Sequence, residues 1–234
     1  MIAPEARVAL ESAVSAVFRA IQPAGQVPWT AMTERDLWYE LVCCSLSRRV
    51  RYEQAFAASM HLRSVGLDPF GLRSARGFQV RVATELSQYL DPKDQQYRSY
   101  RFPNLGAACL ARTAEALYGR SMSLGGLLSD AGNSRRARRT LMATAFGVGP
   151  KEASLFLRNI GLASDLAILD AHVLRFMFWV GILDTPTVSV QSIKRYEVLE
   201  DELRSYACRL GADLGQCDTA VWVVARVARR ELGI

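Results

Sequence analysis

Apolar residues recur with the 3.6-residue period of a helix along nearly the whole chain, and few stretches alternate as a half-buried strand does. Residues 5–21 carry Val8, Leu10, Val14, Val17, Phe18 and Ile21 as a broad apolar face. A Pro/Gly stretch at 22–29 breaks the chain. Thr33 with Asp36 three residues on predicts a capping box. It opens a deeply buried helix at 34–46 through Leu37, Trp38, Leu41, Val42 and Cys44–Leu46. Further helices are expected at 50–65, 74–89, 105–118, 135–146, 150–160, 171–181, 192–210 and 215–232, with a short one at 124–130. That makes about eleven. Residues 91–103, with Asp91-Pro92 and Phe102-Pro103, read as a polar loop. Ser134 is placed to cap the helix at 135–146. No repeat of 20–50 residues and no low-complexity linker marks a domain boundary.

Composition narrows the class. The 234 residues are 50% hydrophobic and 22% charged, which is globular and sufficient for a sizeable core. No apolar run reaches the roughly 18 residues that span a bilayer, and the charged N-terminus lacks the apolar centre of a secretory signal. Five cysteines without a C-x-x-C spacing suit reduced thiols in the cytosol and argue against a zinc or iron–sulfur site. Cys43 and Cys44 read as core packing. The net charge of +6 and pI near 9.3 point to an acidic partner, nucleic acid before membrane. The basic residues are 26 arginines and three lysines, Lys93, Lys151 and Lys194. Arginine suits fixed phosphate contacts, whereas lysine can lose its proton and act as a nucleophile.

The sharpest motif is Phe146-Gly147-Val148-Gly149-Pro150-Lys151-Glu152-Ala153. One helix stops at Gly147 and the next starts at Pro150, which is favoured at a first helical position. Val148 can tuck between the two helices, and small Ala153 lets them cross. The glycines allow close backbone approach, so the amides and the helix N-terminus suit a phosphate. This is a helix-hairpin-helix pattern for sequence-independent contact with a DNA backbone. A glycine turn between core helices is the blander alternative. Lys151 sits where a permanent cation is disfavoured by about 0.3–1 kcal/mol. Beside apolar Leu155, a neutral amine there would be a nucleophile for a sugar C1′; contact with a phosphate is the other reading. Nineteen residues on, an apolar run delivers Asp170 to a helix start. There it can cap the helix, and it can also stabilise positive charge at C1′ or move protons. His172 follows in the first turn. Arg135, Arg136, Arg138 and Arg139 suit a phosphate-facing surface or a solvated face.

Residues 147–161 and 167–175, with Lys151 and Asp170, resemble the 8-oxoguanine DNA glycosylase/AP lyases, in their compact archaeal-type branch of the helix-hairpin-helix glycosylase superfamily. Residues 34–46, Tyr100–Asn104 and the pattern Leu203…Tyr206-Ala207…Leu210-Gly211…Leu214…Asp218…Trp222 extend the likeness over most of the chain. The resemblance implies an all-α fold forming one unit, 1–234, of two subdomains with a DNA-binding cleft between them. Residues 30–160 would form a central bundle ending in the hairpin 141–160, and 1–29 with 161–234 the second subdomain. It implies a flipped-out base, Lys151 as nucleophile and Schiff-base lysine for β-elimination, and Asp170 as the catalytic carboxylate. Gly147, Val148, Gly149, His172, Arg135 and Arg136 would meet the DNA backbone, and Leu155, Asp218 and Trp222 the base. Leu155 stands where the branch usually has histidine, and residues 225–234 run on past the usual end; both bear on which base is excised. The partner would be double-stranded DNA carrying a damaged base, met by a monomer in the cytoplasm, at the nucleoid. No metal or redox cofactor is implied, and a monovalent cation bridging hairpin carbonyls and phosphate is compatible with the motif. A non-catalytic DNA-binding module, a glycosylase for another modified base, and a glycosylase using water in place of lysine are the alternatives.

Overall fold

In a computed structural model, which describes residues 2–21, 28–71, 74–186, 189–190 and 192–232, the chain divides into two compact units. One is Val27–Leu162 and the other joins Met1–Gln26 to Ala163–Ile234. The expected break at 22–29 falls mostly outside the described residues.

The Val27–Leu162 unit contains α2 (Glu34–Leu46), α3 (Tyr52–Ser64), α4 (Ala75–Ser87), α5 (Pro103–Tyr118), α6 (Leu124–Ser129), α7 (Ser134–Thr144) and α8 (Pro150–Asn159). Its centre is α2, with Leu37, Trp38, Leu41, Val42, Cys43, Cys44 and Leu46 all buried. Thr33 Oγ1 accepts the Asp36 amide while Asp36 Oδ2 accepts the Thr33 amide, so the capping box is reciprocal. Glu34, one residue on, accepts the amides of Leu124 and Gly125 and the Tyr118 hydroxyl. A carboxylate of α2 thus holds the N-terminus of the six-residue α6, which is too short to persist by itself.

Two local expectations change. The loop at 91–103 contains one edge of a small antiparallel hairpin, β1 (Tyr89–Leu90) paired with β2 (Tyr97–Arg98). Asp91 makes it possible: its side chain accepts the Lys93 amide and Gln95 takes a left-handed turn conformation. Asn133, not Ser134, caps α7, its side chain accepting the Arg136 amide at 2.9 Å. The helix begins one residue earlier than expected, so Ser134 is its first residue.

The other unit packs α1 (Pro4–Ala20), α9 (Ala171–Trp179), α10 (Ile193–Arg209) and α11 (Leu214–Leu232). Only Leu10 and Val14 of α1 are buried. Val8, expected on the apolar face, is exposed because contact with the core covers a narrower stripe. The C-terminal residues past Trp222 simply continue α11 as far as Leu232.

Between Leu162 and α9 the chain crosses the core of this unit without being helical. Leu166, Ala167 and Leu169 are buried, so their amides have neither a helical carbonyl nor water. Side chains of α10 and α11 supply the partners. Glu200 Oε1 accepts the Ala167 amide at 3.0 Å and Asp218 Oδ2 the Ile168 amide at 3.2 Å. The Tyr196 hydroxyl accepts from Leu169 N at 3.0 Å and donates to Ala167 O at 2.8 Å. Glu200 and Tyr196 are wholly buried and Asp218 is 2% exposed.

Tyr196→Phe removes one hydroxyl and strands two buried backbone groups. Urea unfolding is expected to show a loss of roughly 1–3 kcal/mol; a loss within a few tenths would mean the segment repairs its bonding elsewhere.

Candidate active-site residues

The hairpin rests on α5. Gly147 has φ +78, and a Cβ there would lie 2.8 Å from the Cys109 sulfur. The glycine is therefore required by backbone hand and by space together. Thr113, one turn beyond Cys109, accepts the Phe146 amide at 2.8 Å. Arg112 lies 3.9 Å over the Phe146 ring. Burial pushes the Cys109 thiol up, opposed by the charges of Arg48 and Arg112. Arg112 does not stand out in sequence, because only the packing of α5 brings it to the turn.

The turn itself is shorter of free amides than the motif suggests. Helix α7 ends at Thr144, two residues before the expected end, and the Val148 amide donates to Ala145 O. The Gly149 amide donates to Glu152 Oε2 at 3.2 Å. What remains for an anion is the Gly147 amide and the first turn of α8, where the amides of Lys151 and Glu152 have no helical carbonyl to bond. Val148 and Ala153 are buried between the helices. Of the arginines in α7, Arg136 is exposed and Arg135 half-buried, while Arg138 is wholly buried and donates to Ser154 Oγ of α8 at 3.2 Å. Arg138 thus joins the two hairpin helices from inside and does not belong to a phosphate-facing surface.

Lys151 occupies the second position of α8. Of the three lysines, Lys93 and Lys194 are exposed and Lys151 alone is half-buried. Leu155, one turn on along the same face, is also half-buried. Helix α2 packs against α8 and presents Cys43 and Cys44. Burial and the Glu40 carboxylate push the Cys43 thiol up to about 12, against a hydrogen bond from Tyr52 and the Lys151 charge. Burial, followed by Glu40, also raises Cys44. Both thiols stay protonated near neutral pH, so this wall offers no thiolate.

In the other unit Asp170 caps α9. Its Oδ1 accepts the His172 and Val173 amides at 2.8 and 3.0 Å, and its Oδ2 accepts the Trp222 indole N–H at 3.1 Å. The cap role read from sequence is therefore present, with an added indole donor that only the α9–α11 packing supplies. Three donors to one carboxylate fix its direction. Trp222 is 38% exposed, with the Arg226 guanidinium 4.4 Å from its ring centroid. Asp218 lies one turn before Trp222 on α11, beneath the crossing segment. Asp170, His172 and Trp222 thus form one cluster, while Lys151, Leu155, the hairpin and the α7 arginines belong to the Val27–Leu162 unit. Among the described residues no group of histidine, cysteine and carboxylate side chains could hold a metal ion, and no helix is long and apolar enough to cross a membrane.

The family described as 8-oxoguanine DNA glycosylase matches residues 26–212. An 8-oxoguanine DNA glycosylase/AP lyase of Sulfolobus acidocaldarius is 29% identical over 209 residues, covering 87% of this chain and 89% of that protein. One from Saccharolobus islandicus is 38% identical over 123 residues, 53% of this chain and 58% of its own length. The crystal structure of the Thermotoga maritima 8-oxoguanine DNA glycosylase aligns with a TM-score of 0.65 at 27% identity, covering 94% and 90% of the two chains. The Methanocaldococcus jannaschii 8-oxoguanine glycosylase/lyase, solved with a 15mer DNA containing 8-oxoguanine, gives the same TM-score at 19% identity over 99% and 93%, a likeness of fold.

Two predictions come from this geometry. Gly147→Ala must adopt a left-handed backbone and displace Cys109, so thermal unfolding should show a loss of at least about 1–2 kcal/mol. Adding Cys109→Ala should return only the steric part. His172 is held below its ordinary value of 6.5 by burial, with Arg175, Arg226 and Arg229 acting in the same direction and Asp170 against it. The unfolded chain therefore binds the proton more readily, and stability from this residue is lost as pH falls through 6.5 and below. Unfolding free energy measured against pH should decline more steeply there in the wild type than in His172→Gln.

Proposed function

The chain belongs to the 8-oxoguanine DNA glycosylase family, and from that premise we propose that it excises 8-oxoguanine from duplex DNA and cleaves the abasic site through a Schiff base on Lys151. The observation that carries the assignment is the setting of that lysine. It is the one half-buried lysine of three, on the first turn of the helix that follows a glycine hairpin. Its amine, once neutral, attacks C1′ of the damaged nucleotide. The C1′–N9 bond breaks, the base leaves with a proton, and ring opening gives the imine. Loss of a C2′ proton then expels the 3′ phosphate by β-elimination.

Asp170 supplies the carboxylate. Its bonds to two amides and an indole fix its direction, so it can stabilise positive charge at C1′ without reorganising. Gly147, Val148 and Gly149 shape the turn so that the first amides of α8 meet a phosphate, with Arg135 and Arg136 adding charge from α7. His172 contacts the backbone from α9. Trp222 offers a ring for stacking against the base, and Leu155 an apolar contact. Asp218 acts from beneath, holding the segment that delivers Asp170. The protein works as a monomer at the nucleoid and needs no metal or redox cofactor; a monovalent cation at the hairpin carbonyls is consistent with this chemistry.

Borohydride treatment with a duplex carrying 8-oxoguanine should trap a covalent adduct in the wild type and none in Lys151→Gln. Asp170→Asn keeps the amide-accepting oxygen of the helix cap and gives up only the indole bond, so stability should fall by no more than about 1 kcal/mol while the single-turnover rate falls by roughly a hundredfold or more. Salt-sensitive duplex binding with no base release or adduct would make the chain a non-catalytic binding module. Base release that survives Lys151→Gln would assign the displacement to water.

A further inference from the structure

We propose that the C-terminal half of α11 and the first turns of α9 form an anion site of their own, in which Arg226 and Arg229 join His172 and Arg175 to hold a DNA phosphodiester. The proposal rests on the reading that the protein binds DNA and extends it to residues the hairpin motif does not contain. Trp222, Arg226 and Arg229 fall at i, i+4 and i+7 on α11, one face of a helix, and all three are exposed. His172 and Arg175 fall at i and i+3 on α9, which packs against α11. The two faces meet at Asp170, whose carboxylate accepts the His172 amide and the Trp222 indole. Arg226 lies over the Trp222 ring. The charges of Arg175, Arg226 and Arg229 all bear on the His172 imidazole.

The hydrogen bonding of this cluster is incomplete. His172 Nδ1 and Arg175 Nη1 are both buried and have no partner among the described residues. Buried polar atoms left so are usually completed by water or a bound ion. Three guanidinium charges bearing on one imidazole repel each other, and an acceptor-only group of negative charge both relieves that repulsion and takes their hydrogens. Asp170 is the carboxylate of the cluster, but its oxygens already serve the α9 amides and the indole. A phosphodiester fits: it carries one charge and two free oxygens, and arginine holds it through paired N–H donors. Stacking on Trp222 restricts Arg226 to the helix face, which lowers the ordering cost of that contact. On this view, Arg226 and Arg229 give the second unit its own grip on the backbone.

The test is equilibrium binding of a duplex carrying a tetrahydrofuran abasic analogue, followed by fluorescence anisotropy across a series of salt concentrations. Each lost phosphate contact should reduce the slope of log K against log salt by about 0.9. Arg229→Gln, which leaves the Trp222 stack intact, should remove about one such step. Arg226→Gln with Arg229→Gln should also remove about one, since the site holds one phosphodiester, and weaken binding at low salt by roughly tenfold or more. The corresponding Arg→Lys pair should keep most of the slope. An unchanged slope in both glutamine variants overturns the proposal, as does weaker binding with the slope preserved. Borohydride trapping of the wild type on 8-oxoguanine duplex reads the activity separately. An adduct with unaltered slopes removes the anion site and leaves the enzyme standing; reduced slopes without an adduct do the reverse.

Discussion

A backbone that crosses an apolar core without helical bonding must find partners for its amides, and this requirement organises the unit that carries Asp170. Leu166, Ala167 and Leu169 are buried and Ile168 half-buried, and each amide from Ala167 to Leu169 takes a side chain from α10 or α11. Buried carboxylates such as Glu200 are costly unless bonded, so these contacts confine α10, α11 and the segment to one arrangement. Asp170 emerges at the end of that segment. Its direction is then set by the two α9 amides and by Trp222 of α11. The same helix that braces the segment through Asp218 thus orients the carboxylate through Trp222, one turn further on. A carboxylate held in such fixed surroundings meets a developing positive charge with little reorganisation.

The hairpin unit meets a different constraint, one of space. Gly147 turns with a left-handed backbone against Cys109, and Thr113 and Arg112 hold the adjoining Phe146. Helix α5 is therefore the bed on which the turn is shaped. Arg138 ties α7 to α8 from within through Ser154. These supports leave few adjustable parts at the start of α8, where Lys151 stands.

The arginines divide by environment. Arg138 is a structural cation in the interior, Arg112 lies on an aromatic face beside the turn, and Arg226 and Arg229 form an exposed stripe with Trp222. An overall charge of +6 conceals these differences. The lysines separate more simply, since one of the three is half-buried and lies next to the hairpin.

Much was legible in the chain by itself. The helical period located eleven helices among the described residues to within a few positions, because burial of one face imposes its spacing on the sequence. The capping box at Thr33 and the glycine-proline turn at 147–150 could be read for the same reason: local backbone geometry admits few residue types there. Lys151 and Asp170 were visible through those local signals. Tertiary structure alone decided the rest. That Arg138 is buried and Arg136 exposed depends on where α8 packs. That Asp218 accepts from Ile168, Trp222 donates to Asp170 and Cys109 fills the space beneath Gly147 depends on contacts between residues 38 to 52 positions apart. Local sequence constrains backbone conformation and which face is apolar, whereas the partner of a buried polar atom is settled only when distant elements close around it.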